Sequence, residues 1–227
     1  MRSQNFYTYA FFNTPDFPVD LPSGNLGELF LINGKNISAV VEPGISLESS
    51  QNDDEQVIKM VLAHDRVICE LSRQMTVLPL RFGTYFISED TLLNHIESHA
   101  QEYQDKLNNI QGKNEYTLKV IPQKVEELAK ASGTNGRDYF LAKKQYYEQQ
   151  KSFFAAQNQE KSYLINLITE TYQSSAIVQD HADEVRFHLL VDRQNKALLL
   201  EQVLSLQQKC PHWTLILGEP LPPYHFI

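Results

Sequence analysis

The stretch Arg137–Tyr172 runs for 36 residues without a proline or a glycine. Strands in globular proteins rarely exceed about ten residues, so a run of this length and composition is helical. It predicts one long helix, or two with a break near Gln157–Asn158. Its neighbours in the chain have a different character. Glu115–Ile121 alternates apolar and polar residues and reads as a strand. A short helix from Pro122 to about Ala131 and a loop at Ser132–Gly136 lead into the long helix. Ala176–Gln179 and Val185–Val191 read as strands joined by a turn at Asp180–Asp183. Asp192–Asn195 then caps a helix at Lys196–Gln208, and Trp213–Leu217 is the last strand. The order β, helices, β, β, α, β is that of the split βαβ, ferredoxin-like plan, with extra helices in its first crossover.

The first half has another order. Phe6–Phe12 is aromatic and β-prone, and Asn13–Gly27 is a loop. Leu29–Ile32 and Ile37–Glu42 flank the turn Asn33-Gly34-Lys35-Asn36 and predict a hairpin. Asn52-Asp53-Asp54-Glu55 supplies an N-cap and first-turn acids. Val57, Val61, His64, Ile68, Leu71 and Met75 then recur at helical spacing. Thr76–Phe82 reads as a short strand, with Pro79 demanding an edge or a bulge. Ser88–Thr91 opens a further helix with Leu92, Ile96, Tyr103, Leu107 and Ile110 on one face, closed near Gln111–Asn114. The chain is therefore an α+β protein of two domains, residues 1–111 and 112–227. The second is ferredoxin-like with a helical insertion and a Pro-rich tail from Gly218.

Acidic side chains outnumber basic ones by 28 to 20. That balance argues against nucleic acid and against anionic lipid as partners. Cys69 and Cys210 lie far apart and outside any C-x-x-C pair, which suggests reduced thiols. No leader peptide is evident at the N-terminus, and no stretch approaches the ~20 apolar residues that span a bilayer. A soluble, cytoplasmic protein is expected.

Motifs of catalysis are sparse. Gly34-Lys35 lacks the rest of a phosphate-binding loop, and Gly133–Gly136 follows a helix rather than a strand. No nucleophile elbow occurs. Cys210-Pro211-His212 places a thiol near an imidazole, but nucleophilic chemistry also needs an orienting third group. His95 and His99, at i and i+4, can face one way on a helix, yet a zinc site needs a third protein ligand. His64 falls on an apolar helical stripe, where a core or edge role is the ordinary one. Arg81 points outward or requires a carboxylate partner. No catalytic residue, cofactor or metal is expected.

Thr76-Val77-Leu78-Pro79-Leu80-Arg81-Phe82-Gly83, with His64-Asp65-Arg66 upstream, resembles the helix-and-strand segment of the gas vesicle protein F/L family. Tyr7-Thr8-Tyr9 resembles that family's opening strand. Gly112-Lys113-Asn114-Glu115-Tyr116 resembles its entry to the second half, and Gly136–Leu141 its Gly-x-x-Tyr-Leu helix start. Gly218–Phe226 is similar to its C-terminal Gly-Pro-x-Pro-Pro-Tyr-x-Phe signature. The chain is most similar to the cyanobacterial F-type members. It departs at Glu219-Pro220, where the family usually has Pro-Trp, and at Tyr116, where Trp is common. The resemblance implies a non-enzymatic accessory or minor structural protein of gas vesicles. Such a protein is expected to contact the major shell subunit and other accessory proteins during assembly, and the gas-facing surface is its candidate final place. The motif residues Arg81, Phe82, Gly83, Arg137, Tyr139, Pro222, Pro223 and Tyr224 are its candidate interaction residues. The tail is either a contact element or a strap over the second domain's core. The alternative to this reading is a small-molecule-binding regulatory module of ferredoxin-like type.

Overall fold

A computed structural model describes residues 5–45, 54–125, 136–181 and 184–227. Among them are five α-helices and two sheets, in two compact units: Met1–Glu115 with Leu221–Ile227, and Tyr116–Pro220. The division differs from the expected one at its end. The last seven residues cluster with the first unit, not the second.

In the first unit β1 (Phe6–Asn13) is central. It pairs antiparallel with β3 (Ile37–Pro43), β4 (Leu78–Pro79) and β5 (Tyr85–Phe86), and β3 forms the expected hairpin with β2 (Phe30–Asn33). Seven of the eight residues of β1 are buried or nearly so, as a strand covered on both faces requires. A bulge interrupts it: Thr8 lies opposite Val41 and Ala10 opposite Val40, so Tyr9 is the extra residue. Tyr7, Tyr9, Ala10 and Phe12 thereby all join the cluster formed with α1 (Asp54–Gln74). Phe11 turns to the other face, against the rings of His95 and Tyr103. Burial of each such aromatic contributes on the order of 2–3 kcal/mol.

The stripe of α1 is rotated slightly from the expected one. His64, Ile68 and Leu71 are buried, but Met60 and Val67 accompany them while Val61 is exposed. The cap at Asn52-Asp53 lies outside the described residues. The strand expected over Thr76–Phe82 shrinks to β4, the last strand in its sheet order, where Pro79 has no ladder bond to give. The chain then turns. The Thr84 amide donates to Arg81 O, and Gly83 adopts φ +88° at the third position, a type II turn that favours glycine there. The single helix expected from Ser88 is two, α2 (Glu89–Ser98) and α3 (Ala100–Ile110). At the break Ser98 Oγ donates to His95 O and His99 Nδ1 lies 2.9 Å from the same carbonyl, local bonds that compete with the helix ladder.

The second unit is built on β6 (Lys113–Pro122), β7 (Ala176–Asp180), β8 (Val185–Asp192) and β9 (Trp213–Leu217), in the order β7–β8–β6–β9. Pro122 ends β6 rather than starting a helix, and most of the short helix and loop expected over 122–136 lies outside the described residues. The turn expected at Asp180–Asp183 is described only in part. Between β6 and β7 runs α4 (Gly136–Tyr172), one unbroken helix. Gln157 does not break it but anchors it. Its buried side-chain amide donates to Gln123 O and His212 O, both at 3.0 Å, and its backbone carbonyl accepts from Trp213 Nε1. Leu164 and Ile168 of α4 and Leu199, Val203 and Leu206 of α5 (Lys196–Lys209) close the core over Leu118, Phe187 and Trp213. The edge strand β9 is blunted from within the unit. Gln207 donates to Trp213 O at 2.7 Å and accepts from the Leu215 amide at 2.8 Å, as a neighbouring strand would. No described helix is long and apolar enough to cross a membrane.

Candidate functional site

Three consecutive residues of α1, His64-Asp65-Arg66, each fasten a different segment of the first unit. Successive helical residues point about 100° apart, so neighbours in sequence reach separate partners. His64 is buried, with Nε2 3.0 Å from Leu80 O. A carbonyl only accepts, so Nε2 carries the proton and Nδ1 accepts from Tyr7 OH at 2.9 Å. The Tyr7 oxygen in turn accepts the Gly83 amide at 3.3 Å. Burial holds the His64 pKa below its ordinary value, consistent with a neutral ring, and pushes Tyr7 up to about 12. The Phe82 ring closes the group, 5.8 Å from His64 and 6.2 Å from Tyr7.

Asp65 accepts from Tyr224 OH at 2.5 Å, and burial followed by that bond drives the phenol strongly upward. Pro222 and Pro223 are buried, the Tyr224 ring packs on the α1 cluster, and Leu221 exchanges two backbone bonds with Glu115. The tail is thus a strap, but of the first unit and not of the second domain's core. Glu115 further accepts from the His225 amide at 2.9 Å.

Arg66 donates to Ser23 O and Gly24 O, at 2.8 and 3.2 Å. The same loop is gripped from the sheet by Glu42, which is 1% exposed. Glu42 Oε1 accepts the amides of Leu26 and Gly27 at 2.6 and 2.5 Å. Its Oε2 accepts Asn25 N–H at 2.7 Å and Tyr9 OH at 2.5 Å. A buried carboxylate is tolerable on such terms, with all its oxygens engaged by fixed donors. A Cβ on Gly24 would stand 2.5 Å from Glu42 Oε2, so the loop can approach this closely only with glycine there. Leu26, at the tip of the gripped loop, is exposed.

The other candidates have structural partners. His95 Nε2 lies 2.7 Å from Tyr103 OH, and burial with the neighbouring His99 lowers its pKa. Among the described residues, His95 and His99 form no group with a third metal-ligating side chain. In the second unit Cys210 is buried and its thiol pushed up to about 11, a protonated and poorly nucleophilic state. His212 is engaged by Glu160, whose two oxygens meet its Nδ1 and its amide at 2.6 and 3.0 Å.

The eight motif residues do not form one site. Phe82, Gly83 and Tyr224 converge on His64 and Asp65, and Pro222 and Pro223 are buried within the strap itself. Arg81 is exposed at the turn. Arg137 and Tyr139 are exposed near the start of α4 in the other unit. Sequence reasoning missed Tyr7, Tyr9 and Glu42 as a polar core. The available signal was an acid at the end of the apolar run Ile37–Val41 and two tyrosines two apart in a buried strand.

The fold is a mixed α/β one built on two antiparallel sheets, and in its first unit His64, Asp65, Arg66 and Glu42 hold that unit's own segments together. The family model "Gas vesicle synthesis protein GvpL/GvpF" matches residues 5–227, and the chain belongs to that family. It is 26% identical to gas vesicle protein F of a Streptomyces species, over 74% of this chain and 76% of that protein. It is 27% identical to gas vesicle protein F1 of Halobacterium salinarum, over 52% and 55% respectively. The crystal structure of GvpF from Anabaena sp. superposes with a TM-score of 0.68 at 16% identity, covering 99% of this chain and 96% of that one. GvpF from Microcystis aeruginosa gives 0.66 at 16% identity, covering 99% and 98%. The chain is therefore a gas vesicle-associated protein of mixed α/β fold.

Proposed function

We propose that this chain is a non-enzymatic accessory or minor structural protein that binds the major gas vesicle shell subunit during assembly and lines the gas-facing surface. The observation that carries the reading is the family match over nearly the whole chain. The surface is compatible with it. The first unit exposes Ile58, Leu62, Tyr85 and Ile87, large apolar side chains that an apolar shell subunit could cover. Of the motif residues, Phe82, Gly83, Pro222, Pro223 and Tyr224 act as struts that shape this unit. Arg81, Arg137 and Tyr139 are left as direct contacts. The two compact units serve as its domains, and the strand order β7–β8–β6–β9 supports a ferredoxin-like plan for the second.

The test is co-purification of the tagged chain with the shell subunit from cells making both. Binding is expected, with strong loss in Ile58→Glu/Leu62→Glu. Recovery of no vesicle protein would refute the reading. Immunogold labelling of intact and collapsed vesicles addresses placement: label seen only after collapse supports the gas-facing surface, and label on intact vesicles excludes it.

A cavity of about 220 Å³ in the second unit favours a second reading, a small-molecule regulatory module. It lies among Leu118, Ile168, Leu189 and Leu199, with Gln202 and Lys209 also in its wall. A rise in melting temperature with a metabolite would support it by mass action, and a flat response across a broad panel would remove it.

A further inference from the structure

The cavity of the second unit is walled on one side by two rows of α5 side chains. Leu199, Val203 and Leu206, at spacings of four and three, are buried and join its apolar floor. Gln202, Ser205 and Lys209, at spacings of three and four, line it as a second row. From Gln202 to Lys209 that row spans about 10 Å, at 1.5 Å of rise per residue. Its two ends differ. At Gln202 the flanking helices are tied together, because Tyr172 of α4 donates its hydroxyl to Gln202 Oε1 at 2.7 Å. Two turns along stands Lys209, the one charged group among the described residues that line the cavity. Thr171, also in the wall, spends its hydroxyl proton on Leu167 O at 2.7 Å. Lys209 and Ser205 are left as the donors at that end.

Volume, wall and charge together select the occupant. A cavity of about 150 Å³ takes benzene with its six carbons, so one of about 220 Å³ takes an apolar body of about eight or nine. An aliphatic floor gains dispersion contacts from a hydrocarbon and gives a sugar or a nucleotide no partners. A lone ammonium at one end favours an anion over a cation. We propose that this cavity binds a medium-chain monocarboxylate, its chain of about eight carbons laid along α5 and its carboxylate at Lys209 beside Ser205. The proposal rests on the small-molecule reading of the second unit and makes no use of shell binding. Lys209 also stands in the last turn of α5, where a cation suits the helix dipole. The two roles separate experimentally. The dipole acts whatever the ligand, whereas the binding role depends on the ligand's charge.

The test is titration calorimetry of the full chain with octanoate and with 1-octanol, using methyl NMR to place each ligand. Saturable octanoate binding that shifts the methyls of Leu118, Ile168 and Leu189 is expected. Affinity should rise about fourfold per carbon from hexanoate to octanoate, as each further CH2 is buried. It should level off beyond about nine carbons, where the cavity is full. Lys209→Gln, at an exposed position and with unchanged Trp213 fluorescence as the check on folding, should weaken octanoate at least about threefold. It should leave 1-octanol unchanged, and Lys209→Arg should restore octanoate. Octanoate and 1-octanol bound alike, with Lys209→Gln indifferent to both, would overturn the carboxylate proposal and leave the small-molecule reading standing. Affinity still climbing at dodecanoate would do the same. No saturable binding at the cavity methyls overturns the proposal, and a flat response across the metabolite panel beside it removes the small-molecule reading as well.

Discussion

The bond set around Glu42 gives a quantitative prediction. In Glu42→Gln one oxygen that accepts becomes an NH2 group that only donates. With the remaining oxygen turned to Leu26 and Gly27, the new NH2 faces the Asn25 amide, and Tyr9 OH must reverse to accept from it. One hydrogen bond to a charged group is lost, about 1.5–3 kcal/mol, and one amide is left unpaired, about 1–3 kcal/mol. Allowing for partial relaxation, the substitution should destabilise the 23–27 loop by about 3 kcal/mol. Tyr9→Phe should cost about 2 kcal/mol, and the double variant less than the sum, because both act on one carboxylate. The lone tryptophan, Trp213, lies in the second unit's core, so its fluorescence reports the wrong unit. Hydrogen exchange at Asn25, Leu26 and Gly27 is the appropriate assay. Those amides should exchange on the order of a hundredfold faster in Glu42→Gln, with the Trp213 unfolding transition unchanged as an internal control. Exchange within about threefold of wild type would mean that the loop is held by something other than the carboxylate.

Two further outcomes follow from the same core. His64 is neutral and its pKa is lowered by burial, so above its ordinary value of 6.5 it adds no pH dependence. As pH falls below that value the unfolded chain takes up the proton first, and stability declines until the folded-state pKa is reached. The protection factors of buried α1 amides, with the intrinsic pH dependence of exchange divided out, should therefore fall from about pH 6.5 downward, more in wild type than in His64→Gln; equal slopes would remove His64 as the cause. Gly83→Ala places a Cβ at φ +88° and should cost about 1–2 kcal/mol by thermal denaturation; an unchanged melting temperature would show that the turn can re-form without strain.

Local patterns were legible in the sequence where their causes are local. The Asn33–Asn36 turn predicts its hairpin because the turn chemistry and both strands lie within about a dozen residues. The strand and helix order of the second half is readable for the same reason. Long-range choices were not. Nothing near Tyr224 indicates that its hydroxyl is claimed by Asp65, 159 residues earlier, so the tail's unit could not be read. The bulge at Tyr9 depends on register with Val40 and Val41, and Glu42 acquires its meaning only when the 25–27 amides arrive. The split between α2 and α3 was hidden because side-chain bonds at Ser98 and His99 interrupt an apolar period that runs on unbroken through both. Of the eight motif residues, five are packed, bonded or buried within the first unit and three are exposed, so they lie at no single site.

The placement of His64, Asp65 and Arg66 on adjacent positions of α1 limits how the first unit can vary. The segment 13–27 reaches the helix through Asp20, Ser23 and Gly24, and Leu80 reaches it from the end of β4. The helix itself cannot gain or lose a residue ahead of His64. A single insertion there would swing the trio by about 100° and present an imidazole to the tail, a carboxylate to the loop carbonyls and a guanidinium to the core. All three attachments would fail together. The phase of one helix is thus a shared reading frame for three distant stretches of chain, open to substitution one residue at a time but closed to any frameshift.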